Sequence, residues 1–265
     1  MKEILNHISI ATEIDADLTH FISDPDFPQY GYGIFQASVL ARALSMSTIT
    51  VIELGVAGGN GLISMEEFAR RISPRTSVDI RIVGFDLGSG MPSPVDYRDL
   101  PYIWRQGFFK MDQELLRSSL SSSELRLGDV RVSGREFMDE KPPAIGFISF
   151  DLDYYSSTSN AMNQLLSGNS ERYLPRVLCY FDDTVGSNEE FHSEYTGELL
   201  AIREFNNQSM ERKLSKINGL RYKVGKFDGP WVEGMYVLHI FDHPRYGEYV
   251  FSKNDRQFPL ILNES

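Results

Sequence analysis

The sequence predicts an α/β domain built on a mostly parallel sheet, which ends in an antiparallel hairpin and is preceded by an N-terminal helical segment. Apolar segments of strand length alternate with helical patterns from about residue 35 to about residue 210, as they do in βαβ units. After Gly219 the pattern changes, because two strand-like runs at 220–225 and 234–241 have no helix between them. Such a pair is typical of an antiparallel hairpin.

The individual elements follow from apolar content and periodicity. Strands are expected where short segments are apolar and rich in β-branched residues, at 48–54, 80–87, 124–127, 144–150 and 176–181. Helices are expected where apolar residues recur at helical spacing, at 35–44, 61–72, 111–120, 157–166 and 196–206.

The length of the chain fits one such domain. Its 265 residues suit a single α/β sheet with extensions, so we expect one domain over residues 1–265. Residues 1–47 would form an N-terminal helical cap and residues 242–265 a C-terminal tail. Aromatic residues of the tail, such as Tyr246 and Tyr249, are available to fold back or to contact a partner subunit in a homo-oligomer.

Charge and cysteine content exclude several classes of protein. The 26 basic and 37 acidic side chains give a formal charge of −11, which repels nucleic acid and favours cationic ligands. Cys179 is the single cysteine, so the chain has no disulfide framework and no thiolate zinc site. The sequence begins without a signal-peptide pattern and contains no long apolar run. We therefore expect a cytoplasmic protein that binds neither membranes nor nucleic acid.

A glycine-rich turn follows the first strand. The segment VIELGVAGGNG contains Glu53, Gly55 and Gly59 and leads directly into a helix. Glycines are needed where the backbone turns sharply and approaches a ligand closely, so a nucleotide-type ligand is expected here. The dinucleotide fingerprint requires a glycine at Ala57, and its absence weakens a pyrophosphate interpretation.

Two further acids extend this candidate cofactor site. Asp86 ends the second strand, where an acid can accept hydrogen bonds from the ribose hydroxyls of a nucleoside. Asp129 follows the third strand and is a candidate acceptor for an adenine amino group, although a turn aspartate explains it equally well.

Paired acids follow the fourth and fifth strands. Asp151 and Asp153 stand in FDLDYYSST, and Asp182 and Asp183 stand in YFDDT. If the two strands are neighbours, about 4.8 Å apart, their carboxylates converge at the ligand-binding edge of the sheet. Such a cluster requires either protonation or a cation, and oxygen ligands favour Mg²⁺ or Ca²⁺.

These motifs together resemble the macrocin O-methyltransferase-like family of natural-product sugar methyltransferases. The resemblance covers about residues 50 to 206 and rests on ELGVAGG, GFD, D-x-D-x-Y-x-S-T from Asp151, the later Asp pair and GELLAIREF. It implies a class I, Rossmann-like methyltransferase fold, S-adenosylmethionine as cofactor, and Mg²⁺ held by Asp151, Asp182 and Asp183. This chain departs from the family at Leu152 and in an inserted segment at 184–196.

The expected activity is therefore transfer of a methyl group to a hydroxyl of a small molecule, with a vicinal diol as the natural acceptor because two neighbouring oxygens can chelate a metal. Asp151 is the first candidate for the general base, and His192 in the inserted segment is the second. Two alternatives remain open. One is a relative of the same fold with other chemistry, such as a hydroxylase or a nicotinamide dehydrogenase, and the other is a non-catalytic protein that binds S-adenosylmethionine.

Overall fold

A seven-stranded sheet forms the centre of the protein in the computed structural model, which describes residues 17–23 and 26–250. The strand order is β3-β2-β1-β4-β5-β7-β6. Pairing is parallel from β3 to β5, whereas β7 runs antiparallel to both β5 and β6. The strands are β1 Thr48–Leu54, β2 Asp79–Asp86, β3 Glu124–Leu127, β4 Ile145–Phe150, β5 Tyr173–Phe181, β6 Arg212–Lys216 and β7 Met235–Ile240. The predicted fold class is confirmed.

Helices cover both faces of this sheet. Helices α1 and α2 pack together on one face, and α4, α5 and α6 pack on the other. The helices with complete bounds are α1 Pro28–Ala43, α2 Asn60–Thr76, α3 Gln113–Ser119, α4 Val130–Asp139, α5 Tyr155–Leu165, α6 Gly197–Gln208 and α7 Leu220–Val224.

Strand β1 shows how the alternation of side chains divides the core into two layers. Ile49 and Val51 belong to the layer under α1 and α2, while Ile52 and Leu54 belong to the layer under α4, α5 and α6. All four side chains are buried, as expected for a central parallel strand covered on both faces. The edge of the sheet at which β1 ends is therefore held in place by a strand that is packed on both faces.

The antiparallel end of the sheet was predicted, but the position of its first strand was wrong. The run at 220–225 is not a strand: Leu220–Val224 forms a short helix that buries Leu220 and Val224, which are one helical turn apart. The partner of β7 is instead β6, whose sequence RKLSK buries only Leu214. An edge strand rich in lysine has little apolar signal, which explains the error.

Two helices also differ from the prediction. Helix α1 begins at Pro28, seven positions before the expected start at 35, and proline at a first helical position is a recognised start signal. Helix α4 was not predicted, because its exposed face is polar and it buries only Ser133, Gly134 and Phe137.

The chain termini are described in part. Of the predicted N-terminal cap at 1–47, residues 1–16, 24 and 25 lie outside the described residues, as do residues 251–265 of the C-terminal tail. Within the described part, Tyr246 packs on the sheet and donates or accepts a hydrogen bond at His239 Nδ1 over 2.7 Å. No helix among the described residues has the length and apolar character needed to cross a bilayer.

Candidate functional site

A cavity of about 350 Å³ opens at the carboxyl ends of β1, β2 and β4. Ligands of open α/β sheets bind at this edge, and the volume is within the range of small-molecule sites. The segment 87–109, between β2 and α3, contributes further lining residues. The predicted site residues that line the cavity are Gly55, Asp86, Asp129 and Asp151.

The turn after β1 depends on glycine for its geometry. Gly55 has a φ of +88°, and a Cβ there would lie 1.8 Å from the carbonyl oxygen of Asp151. Gly59 has a φ of +85°, and a Cβ there would lie 2.1 Å from Leu116 Cδ1. A larger residue at either position would be strained and would push its neighbour away. Of the two, Gly55 lines the cavity and Gly59 shapes the start of α2.

Asp86 connects the second strand to the glycine turn. Its Oδ2 accepts a hydrogen bond from the Ala57 backbone N–H at 2.9 Å, and its Oδ1 accepts one from the Gly88 N–H at 2.6 Å. Each carboxylate oxygen has a second lone pair, so the group can still accept hydrogen bonds from a ligand in the cavity. The predicted hydroxyl-binding role therefore fits the geometry.

Glu53 points away from the cavity. Side chains alternate along β1, so Glu53 shares the face of Ile49 and Val51 and lies under α1. Its Oε1 accepts a hydrogen bond from the Tyr30 hydroxyl at 2.8 Å, whereas its buried Oε2 has no partner. Burial raises the pKa of Glu53 to about 8. In this arrangement Glu53 lies against the start of α2, where a Cβ on Gly61 would be 1.9 Å from its Oε1.

Asp129 is held as a helix cap. Its carboxylate accepts a hydrogen bond from the Arg131 backbone N–H at 2.8 Å, at the first turn of α4, and it pairs with the Arg131 guanidinium. The guanidinium holds the pKa of Asp129 below its usual value. Beside it, Gly128 also lines the cavity with a φ of +119°, and a Cβ there would meet no protein atom within 4 Å. This open space next to Asp129 is available to a ligand.

Three carboxylates converge at the ends of β4 and β5. Asp151, Asp153 and Asp183 each offer an oxygen, and these oxygens lie within 4.8 Å of one another. The backbone N–H of Asp153, which has a φ of +56°, donates to Asp183 Oδ2 at 2.8 Å. The carboxylates of the two strands therefore meet, as their order in the sheet predicts.

Burial and then the charges of neighbouring acids raise the pKa of all three acids. Removal from bulk water inside the cleft and the charge of Asp183 raise the pKa of Asp151, and burial together with Asp153 raises that of Asp183. Burial, Asp182 and Glu190 raise the pKa of Asp153 to about 7. Oxygen donors at this spacing suit a hard divalent cation, which would offset the repulsion.

Asp182 and His192 have other contacts. Asp182 lies outside the group of converging oxygens, and its Oδ1 accepts a hydrogen bond from the Tyr180 hydroxyl at 2.7 Å. His192 Nε2 lies 3.1 Å from Glu190 Oε2 in the segment 184–196. The His192 side chain is nearly buried and does not line the cavity.

Three acids of the site region were not predicted as metal ligands, general base or cofactor contacts. Asp153 is part of the D-x-D motif, so its pattern was visible. Glu198 is fully buried in the first turn of α6, and its Oε2 accepts a hydrogen bond from the Asp183 backbone N–H at 3.1 Å. Asp99 is also fully buried and accepts hydrogen bonds from the Val95 N–H, the Ser156 N–H and the Ser156 hydroxyl. Glu198 stands in the GELLAIREF motif, but nothing in that motif indicates contact with the acids, and Asp99 carries no sequence signal, because only tertiary packing brings both residues to the site.

Comparison with known proteins identifies structural neighbours. No protein-family model matches the sequence, and no curated protein matches it. The crystal structure of CalS11, a calicheamicin methyltransferase, superposes with a TM-score of 0.54 and 20% identity over 86% of this chain and 91% of that chain. The apo structure of CalS11, a TDP-rhamnose 3'-O-methyltransferase, gives a TM-score of 0.44 and 19% identity over 86% of this chain and 93% of that chain. An O-methyltransferase from Bacillus cereus with bound SAH gives 0.35 and 12% over 85% and 89%. The first of these likenesses shows that the chain has a Rossmann-like methyltransferase fold.

Proposed function

We propose that this chain is an S-adenosylmethionine-dependent O-methyltransferase that acts on neighbouring hydroxyl groups of a small molecule with the help of a divalent cation such as Mg²⁺. One observation carries the proposal. Asp151 and Asp153 belong both to the lining of the cavity and to the group of acids around it. A cofactor in the cavity and a cation among the acids would therefore adjoin each other.

The cavity fits the cofactor. Its 350 Å³, the remaining acceptor capacity of Asp86 and the open space beside Gly128 and Asp129 suit a nucleoside with a short side chain. The acidic lining suits the positive charge of a sulfonium ion. The motif resemblance to macrocin-type sugar methyltransferases supports the same cofactor, as does the shared fold.

The acid cluster fits the cation. Its donors are carboxylate oxygens, which Mg²⁺ and Ca²⁺ prefer. The converging oxygens belong to Asp151, Asp153 and Asp183. We therefore propose these three as ligands, with Asp182 as a fourth candidate that would have to release the Tyr180 hydroxyl.

The chain's own residues perform the remaining chemistry. A bound divalent cation would lower the pKa of an acceptor hydroxyl and fix its orientation. Asp151 lies where the cavity and the acid cluster meet, so its carboxylate is placed to take up the hydroxyl proton. With the cofactor bound, the cavity walls would have to hold its methyl group in line with the acceptor oxygen. His192 is the second candidate base, and a role for it requires movement away from Glu190.

Calorimetry tests the cofactor, and transfer assays test the cation. We expect saturable binding of S-adenosylhomocysteine, the demethylated product, and no comparable binding of NAD. Methyl transfer to a panel of vicinal diols should stop in chelator and return with Mg²⁺. Asp151→Asn should reduce turnover far more than it reduces cofactor affinity, whereas His192→Ala should reduce it less.

Three results would contradict parts of this proposal. Tight NAD binding without binding of S-adenosylhomocysteine would refute the cofactor. Full activity in chelator would refute the cation. Cofactor binding without transfer to any hydroxyl would favour the non-catalytic alternative.

A further inference from the structure

Glu198 is a buried acid without a compensating charge. Its side chain is fully buried in the first turn of α6. Its Oε2 accepts one hydrogen bond, from the Asp183 backbone N–H, and its buried Oε1 has no partner. Among the residues that the structure describes, no lysine, arginine or histidine lies within ion-pair distance of it. A buried carboxylate with one hydrogen bond is costly for a fold, so its presence requires an explanation.

Among the described residues, the charges that act most strongly on Glu198 are those of four acids. Burial and then the charges of Asp183, Asp151, Asp182 and Asp153 raise its pKa. Glu198 does not line the cavity, and its hydrogen bond to the Asp183 backbone places it next to the converging carboxylates. A helix N-terminus offers it partial compensation, which is insufficient against four neighbouring acids.

We propose that Glu198 is an outer carboxylate of the cation site, which adds negative charge behind Asp151, Asp153 and Asp183 and fixes Asp183 through its backbone N–H. This inference rests on the proposed function and extends it to a residue that need not touch the cation. Outer partners of metal ligands commonly change metal affinity by about tenfold to a hundredfold.

The proposal predicts opposite effects on metal binding and on stability. Glu198→Gln keeps an acceptor for the Asp183 N–H but removes the charge. We expect the Kd for Mn²⁺, measured by calorimetry, to rise at least about tenfold. The metal-free variant should melt at the same temperature as the wild type or higher, because Gln carries no charge that burial and the neighbouring acids would oppose. The rise in Tm that Mn²⁺ gives the wild type should be lost.

A purely structural glutamate would behave differently, since its loss would lower the metal-free Tm and leave the Kd for Mn²⁺ unchanged. Glu204→Gln is the matched control: Glu204 lies on the same helix and accepts a hydrogen bond from the Tyr155 hydroxyl, away from the converging oxygens. Its Kd for Mn²⁺ should stay within about twofold of the wild type. Glu198→Met provides a second, uncharged variant of similar size. If Glu198→Gln and Glu198→Met both fail to fold, Glu198 serves folding and the inference is overturned.

The outcomes separate this inference from the proposed function. Wild type that binds Mn²⁺ together with an unchanged Glu198→Gln would overturn the role of Glu198 alone. Wild type that binds S-adenosylhomocysteine but no Mn²⁺ would overturn the cation site as a whole. Binding of S-adenosylhomocysteine by Glu198→Gln should equal that of the wild type, because Glu198 does not line the cavity.

Discussion

Two buried glutamates, Glu66 and Glu198, occupy helices on opposite faces of the sheet and have opposite surroundings. Glu66 in α2 accepts hydrogen bonds from the backbone N–H groups of Ser121, Ser122 and Ser123 and from two of their hydroxyls. Burial raises its pKa, but the hydrogen bonds outweigh that effect and lower the pKa to about 2. Glu198 has one hydrogen bond and a raised pKa.

The difference separates structural acids from candidate functional acids. An acid whose oxygens are saturated by donors stabilises the fold by itself, as Glu66 does between α2 and the turn before β3. An acid that is buried among other acids requires a compensating positive charge, which the described part of the chain does not supply. By this criterion Asp86, Asp99 and Asp129 are largely satisfied, whereas Asp151, Asp183 and Glu198 are not.

The largest expected effect is the loss of stability when Glu66 is replaced. Glu66→Ala should lower the free energy of unfolding by about 3 kcal/mol, because five donors lose a charged acceptor. Denaturant unfolding measures this loss. Glu67→Ala is the control, since Glu67 forms an exposed pair with Arg70 one turn away and should cost less than about 0.5 kcal/mol. Equal losses for the two variants would contradict the comparison.

The next effect concerns Asp86. Asp86→Ala should weaken binding of S-adenosylhomocysteine by about 2 kcal/mol, through loss of charged hydrogen bonds and of the support for Ala57. Calorimetry measures it. Asp112→Ala is a suitable control, because the Asp112 carboxylate also accepts a backbone hydrogen bond, from Leu115 at the start of α3, and does not line the cavity. An unchanged affinity of Asp86→Ala would exclude Asp86 from the cofactor site.

A smaller effect is expected from pH. The pKa of Glu53 is raised from 4.5 to about 8, so the folded protein binds this proton more tightly than the unfolded chain. The resulting stability is fully present below about pH 4.5 and is lost as the pH rises through about 8. We expect the Tm of the metal-free protein to fall by several degrees between about pH 6 and about pH 9. Glu53→Gln should flatten this profile, and an equally steep profile in that variant would refute the assignment.

Acid pH should reveal the opposite behaviour of Glu66. Its lowered pKa gives stability that is present above about pH 4.5 and is lost as the pH falls through about 2. Glu53 therefore limits stability at alkaline pH, and Glu66 limits it at acid pH.

The smallest effect is expected at Asp129. Its carboxylate is partly exposed, and solvent screens its pair with Arg131. Asp129→Ala should lower the free energy of unfolding by about 1 kcal/mol through loss of the helix cap. A loss above about 3 kcal/mol in denaturant unfolding would show that Asp129 is more than a cap.

The sequence was most informative for the parallel strands of the sheet. Strands β1 and β3 have the predicted bounds, and β2, β4 and β5 each begin within three residues of the predicted start. The convergence of the acids after β4 and β5 also followed from the pattern, because neighbouring parallel strands end at one edge. The charged strand β6 and the polar helix α4 were missed, since packing rather than hydrophobic pattern defines them.

The candidate site was less predictable than the fold, for local reasons. Glu53 was expected to bind a cofactor, and the cofactor role stays a prediction, but the pleat of β1 turns its side chain toward Tyr30. The choice between Asp153 and Asp182 as a partner of Asp151 depends on the positive φ of Asp153, which no motif encodes. Glu198 reaches the acids because α6 packs there, a contact that sequence spacing does not reveal.

Backbone hydrogen bonds join the two ends of the segment between Met91 and Phe108. Met91 N–H donates to the Phe108 carbonyl at 2.8 Å, and Gly107 N–H donates to the Met91 carbonyl at 2.9 Å. Inside this closed excursion, Asp99 bonds to Ser156 at the start of α5. The excursion is therefore closed at its base, and internal contacts hold it to the rest of the protein, among them Asp99 with Ser156 and the Tyr102 hydroxyl with the Glu190 carbonyl. Exchange of this segment for a shorter or longer one is expected to change one wall of the cavity without rebuilding the sheet. The hydrogen bonds between Asp99 and Ser156 would have to be kept.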